Sequence, residues 1–310
     1  MSKKLISILI PFYNEPDSLT NIINEINLIE NKIKSKYNIE ILLLDNHSND
    51  SSANEALLLS QKNNNIKLIR HSRNFGYQSN ILSGYNNCNG DAAIQLDADG
   101  QDDPQIILDF IKYWEKGYEV VYGIRKNRKE SFANNYIRKI FYRFLKYISE
   151  IDIPVDAGDF RLVDKKIIDL LRNFKEKNIY LRGLISYIGF SQIGIEYNRR
   201  KRKSGKSKFN FLQNIKLAFT AIISFSKKPL SLIFAVGLFV FILSLILSVF
   251  YLILYISGAI VVQGFTTLIL IILLFFGMTF LFIGIIALYL GQIQDEVKSR
   301  PTYIIEKKNE

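Results

Sequence analysis

Asp97 and Asp99, one residue apart, close the apolar run that begins at Ala92. Two carboxylates at this spacing can reach a common cation from an irregular loop. Hard divalent ions such as Mg²⁺ and Mn²⁺ take oxygen ligands, often a few carboxylates together with phosphates. Gln101 offers a third oxygen, and Asp102-Asp103-Pro104 beyond it reads as a solvated cluster capping the next helix. A second constellation, Gly158-Asp159-Phe160-Arg161, shares a loop with Pro154 and Asp156 and has no evident structural purpose. The third is basic: Arg199–Lys208 contains Arg202, Gly205, Ser207 and Lys208. Arginine presents planar bidentate donors to phosphate and lysine a point charge, while Gly205 lets the loop approach closely. Nucleic acid is the usual partner of such a run, but one that abuts a membrane segment meets lipid phosphates instead. A single cysteine, Cys88, and two histidines, His47 and His71, exclude a disulfide framework, a cysteine-based zinc site and a histidine-rich metal centre.

The elements that must position these residues alternate. Strands are expected at Leu5–Phe12, Ile39–Leu44, Ile66–Arg70, Ala92–Asp97 and Glu119–Tyr122. Helical apolar spacing occupies Asp17–Lys36, Asp50–Lys62, Gln78–Cys88 and Pro104–Lys116 between them. Strands separated by helices of this length imply an α/β fold with a parallel sheet covered on both faces. Ligands of such sheets bind beyond the carboxyl ends of the strands. Those ends hold Tyr13, Asn14 and Glu15; Asp45 and Asn46; Asp97 and Asp99; and Gly123 and Arg125. No Gly-x-Gly-x-x-Gly and no Walker loop is present, which argues against dinucleotide oxidoreductases and P-loop NTPases.

The remainder of the chain has another composition. From Pro229 to Gln294 there is no Asp, Glu, Lys or Arg in 66 residues. A membrane span needs about 20 apolar residues, and two fit, at about 230–256 and 265–290. The flanking segment Glu196–Lys228 carries ten basic residues against one acidic, most of the net charge of +11, and basic residues recur after the second span. Basic flanks on both sides predict a hairpin with both ends in the cytoplasm. No cleavable signal peptide is read in the first 20 residues. Apolar residues at helical spacing in Phe209–Ser226 predict an interfacial helix. A similar pattern in Asn135–Ser149 suits either an ordinary surface helix or a second membrane contact.

These pieces together resemble the membrane-bound polyprenyl-phosphate glycosyltransferases, among them dolichol-phosphate mannose synthase and bacterial bactoprenol glucosyltransferase. The resemblance runs through Ile10-Pro11-Phe12-Tyr13-Asn14-Glu15, Asn74-Phe75-Gly76, Gly90-Asp91 and Asp97-Ala98-Asp99-Gly100-Gln101-Asp102-Asp103-Pro104. It continues in Gly123-Ile124-Arg125, Gly158-Asp159-Phe160-Arg161-Leu162, Arg182-Gly183, Arg202–Phe209, Ser224-Phe225-Ser226, Pro229-Leu230, Tyr289-Leu290-Gly291, Asp295–Lys298 and Arg300-Pro301. The hairpin and the tail are most similar to the bacterial glucosyltransferase branch.

The resemblance implies a GT-A (Rossmann-like) catalytic domain with a mostly parallel sheet over 1–208, an interfacial amphipathic helix over 209–228, two membrane helices within 229–292 (about 230–256 and 265–290) and a cytoplasmic tail over 293–310. It implies an inner-membrane enzyme that moves a hexose from a nucleotide-sugar to undecaprenyl phosphate, for modification of a cell-envelope glycan. Glucose and a UDP-sugar are the first expectation, with mannose or an amino sugar as the alternative. Readings from other classes are a non-catalytic membrane scaffold and a polysaccharide-export component. Pro11, Tyr13, Glu15, Asp45, Asn46, Ala98 and Arg125 correspond to donor-nucleotide contacts. Asp97, Asp99 and Gln101 correspond to the Mg²⁺ or Mn²⁺ site, and Arg125, Arg202 and Lys208 to acceptor-phosphate contacts. Asp97, Asp99, Asp159, Arg202 and Lys208 are the catalytic candidates. The resemblance extends to a homotetramer, though no interface is legible in the sequence; no nucleic-acid partner is expected. One departure stands out: the family's usual Asp-Asp-Gly-Ser is here Asp45-Asn46-His47-Ser48. Asn46 can still accept a hydrogen bond from a base, without charge, and His47 reads as a turn residue. Donor and acceptor are both anionic, so cations must offset their repulsion and orient the attack. The acceptor phosphate has a second pKa of about 6 and needs no strong base. That makes Asp159 an orienting or metal-linked residue, and a single displacement predicts inversion at the anomeric carbon.

Overall fold

The computed structural model describes residues 3–126, 157–177, 179–200, 228–257 and 265–309. The expected helices at Asn135–Ser149 and Phe209–Ser226, and the candidate residues Arg202 and Lys208, lie outside them.

Strand β1 (Lys4–Phe12) is followed by α1 (Ser18–Ile33), β2 (Tyr37–Asp45), α2 (Ser52–Lys62), β3 (Ile66–His71), α3 (Tyr77–Asn87), β4 (Ala92–Gln95), α4 (Ile106–Glu115) and β5 (Val120–Lys126). These are the nine elements expected from the alternation, shifted by a few residues at their ends. Then come β6 (Ala157–Asp164), α5 (Lys165–Asn173), α6 (Leu181–Ile188) and β7 (Gln192–Asn198). Two long helices, α7 (Lys228–Ile256) and α8 (Phe265–Lys298), precede a last strand, β8 (Ile305–Lys308).

All eight strands form one sheet in the order β7-β5-β6-β4-β1-β2-β3-β8. The block β3-β2-β1-β4 is parallel throughout. Strand β6 is antiparallel to both its neighbours, β4 and β5, and β8 is antiparallel to β3. The sheet is therefore mixed and mostly parallel, as the resemblance to a GT-A domain implied. The reversal has a consequence for the site. Because β6 runs backwards, its start at Ala157–Asp159 falls at the same edge as the ends of β4 and β5, with Ile124 opposite Ala157 and Gln95 opposite Arg161.

The central strands are buried on both faces, which is why they read as continuous apolar runs rather than alternating ones. Ile6, Ile8, Ile10, Ile41 and Leu43 face one side with Ile22, Ile23 and Ile26 of α1 and Phe110 of α4. Leu9, Leu42, Leu44 and Ile69 face the other, with Ile81 and Tyr85 of α3, Ile167, Ile168 and Leu171 of α5 and Leu184 of α6. Helix α3 lies especially close. A Cβ on Gly84 would stand 2.7 Å from Leu44 Cδ1 and 3.1 Å from Leu9 Cδ1, so a larger residue would force the leucine side chains to shift.

The two long helices differ from the rest. Many of their described large side chains point outward, Phe234 at 71% exposure and Phe280 at 70%. Residues Phe275–Lys298 of α8 have a mean hydropathy of 1.9 with none of the window buried, enough by length and composition to cross a membrane. This is the one such helix among the described residues, where two spans were expected.

Candidate active site

Strand order diverges on the two sides of β1, and such a switch point opens a crevice at the carboxyl edge of a sheet. Leu96, Asp97, Ala98 and Asp99 leave β4 at this crevice. Ala98 is buried in the core, and the carboxylates on either side of it are half-buried. Tyr77 sits at the first position of α3, after Gly76 turns the chain at φ 88°. Its hydroxyl donates to Asp97 Oδ1 at 2.6 Å and accepts from Gln95 Nε2 at 2.8 Å. Burial, together with the facing carboxylates Asp97 and Asp159, holds the Tyr77 phenol protonated far above its ordinary range. Burial, reinforced by the nearby charges of Asp102, Asp99 and Asp159, pushes the Asp97 carboxyl up to about 7. No cationic side chain among the described residues lies within ion-pairing distance of it. Gln101 donates its backbone N–H to Asp99 Oδ1 at 3.1 Å, which closes the loop.

Asp102 was expected as part of a solvated cap. It is fully buried. It accepts from the Tyr197 hydroxyl and from Arg199 Nε at 3.1 Å, and Arg125 Nη2 lies 3.7 Å from its second oxygen. The expectation fails because its partners come from β7 and β5, remote in sequence. Asp103 does cap, accepting from Gln105 N–H at 2.9 Å, and pairs with Arg200 at 2.6 Å. Arg200 also bonds Glu25 Oε2 at 2.7 Å, and its backbone N–H donates to the Gln101 carbonyl at 2.8 Å. Arg199 Nη2 is 3.9 Å from Asp99 Oδ2. The exit of β7 is thus fastened to the acidic loop.

Asp159 reaches the same edge through the reversed β6. Arg182 Nη2 donates to it at 3.0 Å, and Arg161 Nη2 lies at 3.8 Å. Burial alone would raise its carboxyl; Arg182 and Arg161 outweigh that and hold it below the ordinary range. Of the sequence candidates, Asp97, Asp99, Gln101, Asp159 and Arg125 are therefore gathered at one edge. Tyr77, Asp102, Tyr197 and Arg182 complete the cluster; Tyr77, Tyr197 and Arg182 were given no role beforehand, and Asp102 only that of a cap. The one available signal was the placement of Asp102 and Tyr77 immediately beyond strand ends and glycine turns.

The donor-side candidates lie further along the same carboxyl edge, beyond β1 and β2. Pro11 pairs with Leu44 in the β1–β2 register. Tyr13 and Glu15 are half-buried in the turn that follows. Glu15 N–H donates to Ser52 Oγ at 2.9 Å, and Asn14 N–H to Ser48 Oγ at 3.0 Å. Asp45 is buried and fully engaged by Ser48 N–H at 2.8 Å and Arg70 Nη1 at 3.2 Å. Asn46 uses both ends of its amide: Nδ2 donates to Asn74 Oδ1 at 2.9 Å, and Oδ1 accepts from Phe75 N–H at 3.0 Å. A carboxylate could not make the first of these bonds, which accounts for asparagine at this position. His47 has φ 66°, as expected of a turn residue standing where glycine is usual.

A mixed α/β sheet with one reversed internal strand and an Asp-x-Asp loop at its switch point is a GT-A-like arrangement. The model of glycosyl transferase family 2 matches residues 7–171. The chain belongs to glycosyltransferase family 2. It is 39% identical over 306 residues to an uncharacterized glycosyltransferase, YkcC, of Bacillus subtilis (strain 168), covering 97% of this chain and 93% of the relative. It is 30% identical over 305 residues to the SfII prophage-derived bactoprenol glucosyl transferase of Shigella flexneri, covering 98% of each. Among solved structures it is similar to the mannosyltransferase PcManGT from Pyrobaculum calidifontis in complex with GDP-Man and Mn²⁺, at 13% identity and a TM-score of 0.46, over 65% of this chain and 57% of that one.

Proposed function

We propose that this chain transfers a hexose, glucose first, from a UDP-sugar to undecaprenyl phosphate at the cytoplasmic leaflet, with inversion. The observation that carries the reading is the fastening of Arg200 N–H to the Gln101 carbonyl. The basic segment that begins there joins the acidic loop to long apolar helices, so an anionic lipid headgroup and an anionic donor can meet at one edge. Similarity to the bactoprenol glucosyl transferase over 98% of both chains supports the lipid acceptor.

The donor set at Asp97 and Asp99 fits a hard divalent cation: two carboxylates close together, ringed by further negative charge that a cation would relieve. Among the described residues no set of three or more His, Cys, Asp or Glu side chains makes a ready metal cage. Two carboxylates would leave positions for diphosphate oxygens. Asp97 and Asp99, with Gln101, would hold Mg²⁺ or Mn²⁺, which when bound supplies neutralisation of the leaving diphosphate. Asp159, kept ionised by Arg182, orients the cationic side of the acceptor site. Arg125, Arg202 and Lys208 offset repulsion between the acceptor phosphate and the donor. Helix α8 would cross the membrane; with α7 as a second span the flanks would both be cytoplasmic, and the segment 209–228 would serve as the interfacial element.

The test is nucleotide release by the purified chain in detergent with Mg²⁺ or Mn²⁺, across UDP- and GDP-sugars, with and without undecaprenyl phosphate. Lipid-dependent release from one preferred donor, giving a β-linked product from an α-linked donor, is expected. A product of retained configuration removes the inverting mechanism, and release indifferent to the lipid removes the acceptor.

A further inference from the structure

Beyond α8 the chain turns back to the sheet and covers its far edge. Tyr303 stacks on the buried ring of His71, with centroids 5.5 Å apart and planes 21° from parallel. Its hydroxyl accepts from Asn86 Nδ2 at 3.0 Å. Ser72 N–H donates to the Ile304 carbonyl at 3.0 Å, and β8 then pairs with β3, Arg70 opposite Lys307 and His71 opposite Ile305. The Glu306 carboxylate lies 3.2 Å from Arg70 Nε and 3.8 Å from His47 Nδ1.

Apart from the Asn86 bond to α3, these side-chain contacts fall on residues that hold the Asp45–Ser48 turn or belong to it. Arg70 reaches Asp45 Oδ2 at 3.2 Å and the Ser48 carbonyl at 3.4 Å. His71 Nδ1 lies 3.4 Å from Asn46 Oδ1, and its carbonyl is 3.1 Å from His47 Nδ1. Strand β8 itself buries little, since Glu306, Lys307 and Lys308 are exposed. A strand of four residues with so little apolar contact adds little to the core. The side chains of Tyr303, just before the strand, and Glu306, within it, are instead aimed at two residues that brace one turn.

We propose that Tyr303 and Glu306 are positioning residues for the donor-nucleotide pocket: the tail acts through His71 and Arg70 to fix the Asp45–Ser48 turn. The proposal rests on the reading that this turn faces the donor nucleotide. Glu306 stands eight residues beyond the end of α8 at Lys298, so the segment that braces the pocket wall continues directly from the apolar helix.

The test uses the full chain in detergent, with UDP and GDP in the presence of Mn²⁺ as probes and the thermal midpoint measured without nucleotide. The variants are the double substitution Tyr303→Leu with Glu306→Ala, the conservative Tyr303→Phe, and Asp45→Ala. Loss of pre-ordering in the pocket wall should raise the Kd of the preferred nucleotide, and the donor KM, by about tenfold in the double variant. The KM for undecaprenyl phosphate, and kcat at saturating donor, should stay unchanged. Tyr303→Phe keeps the stacked ring and should bind as the unaltered chain does. An unchanged nucleotide Kd in the double variant, with or without a lower midpoint, overturns the positioning role alone. So does a parallel loss of donor and acceptor affinity, which marks general destabilisation. Nucleotide binding that survives Asp45→Ala at full strength, or fails in the unaltered chain, overturns the donor-site reading and the positioning role with it.

Discussion

Asp45 closes β2 and Asp97 lies two residues beyond β4, at the same edge of the sheet, yet their surroundings are opposite. Both oxygens of Asp45 are met within the fold, by Ser48 N–H and by Arg70. Asp97 receives a neutral hydroxyl, from Tyr77, and otherwise feels Asp102, Asp99 and Asp159. A carboxylate whose charge is matched internally fixes a shape. One ringed by other carboxylates leaves negative charge that the fold does not match. On the function proposed above, the turn after β2 serves as a wall and the loop after β4 as the place where a cation would be held.

The largest effect should follow from neutralising the loop. Asp97→Asn or Asp99→Asn removes several kcal/mol of charge stabilisation and should lower transfer by about a thousandfold. The thermal midpoint of unliganded Asp97→Asn should not fall, because a repelled charge is gone. Asp45→Asn, by contrast, should lower the midpoint. If Asp97→Asn also lowers it, the contrast between the two carboxylates is broken.

Asp102→Ala should be the most damaging change to folding, because it strands Arg125 and Arg199 beside an emptied buried site. A loss of about 3 kcal/mol is expected in denaturant titration, against a negligible loss for Asp109→Ala on α4. An equal, small effect of both would return Asp102 to the solvated cap.

A pH titration sharpens the wall side. Burial lowers the His71 pKa from 6.5 to about 4. As the pH falls the unfolded chain takes up the proton first, so this contribution is whole above pH 6.5 and is lost as the pH approaches 4. The loss amounts to about 3 kcal/mol. Thermal midpoints between pH 7 and 4.5 should show this slope in the unaltered chain and a shallower one in His71→Gln. Smallest is Asn46→Asp, which replaces a donor by an acceptor facing Asn74 Oδ1. It should cost about 1 kcal/mol at neutral pH, read as a lower midpoint.

The same contrast marks what was legible in the sequence. The strands and helices from Lys4 to Lys126 could be read because each is a local apolar pattern bounded by its own turns. The crevice followed from their alternation, and with it the places of Tyr13, Asp45, Asp97 and Arg125. The direction of β6 could not be read, since Gly158 and Asp159 give it the look of a loop and pairing with β4 and β5 alone decides its sense. Strand β8 escaped notice because four residues, three of them charged, carry no periodic signal. Asp102 was misjudged for the same reason of distance: its partners Tyr197 and Arg199 lie almost a hundred residues onward. Buried charge is satisfied across the fold, and local pattern does not record it.

The most direct measurement is nucleotide-dependent Mn²⁺ binding, followed by electron paramagnetic resonance on the full chain with UDP, in unaltered protein and in Asp97→Asn, Asp99→Asn and Asp45→Asn. The predicted result is a bound Mn²⁺ signal that disappears in either loop variant and persists in Asp45→Asn. Persistence of that signal in a chain carrying both Asp97→Asn and Asp99→Asn would contradict the assignment of the loop as the place where the donor's charge is met.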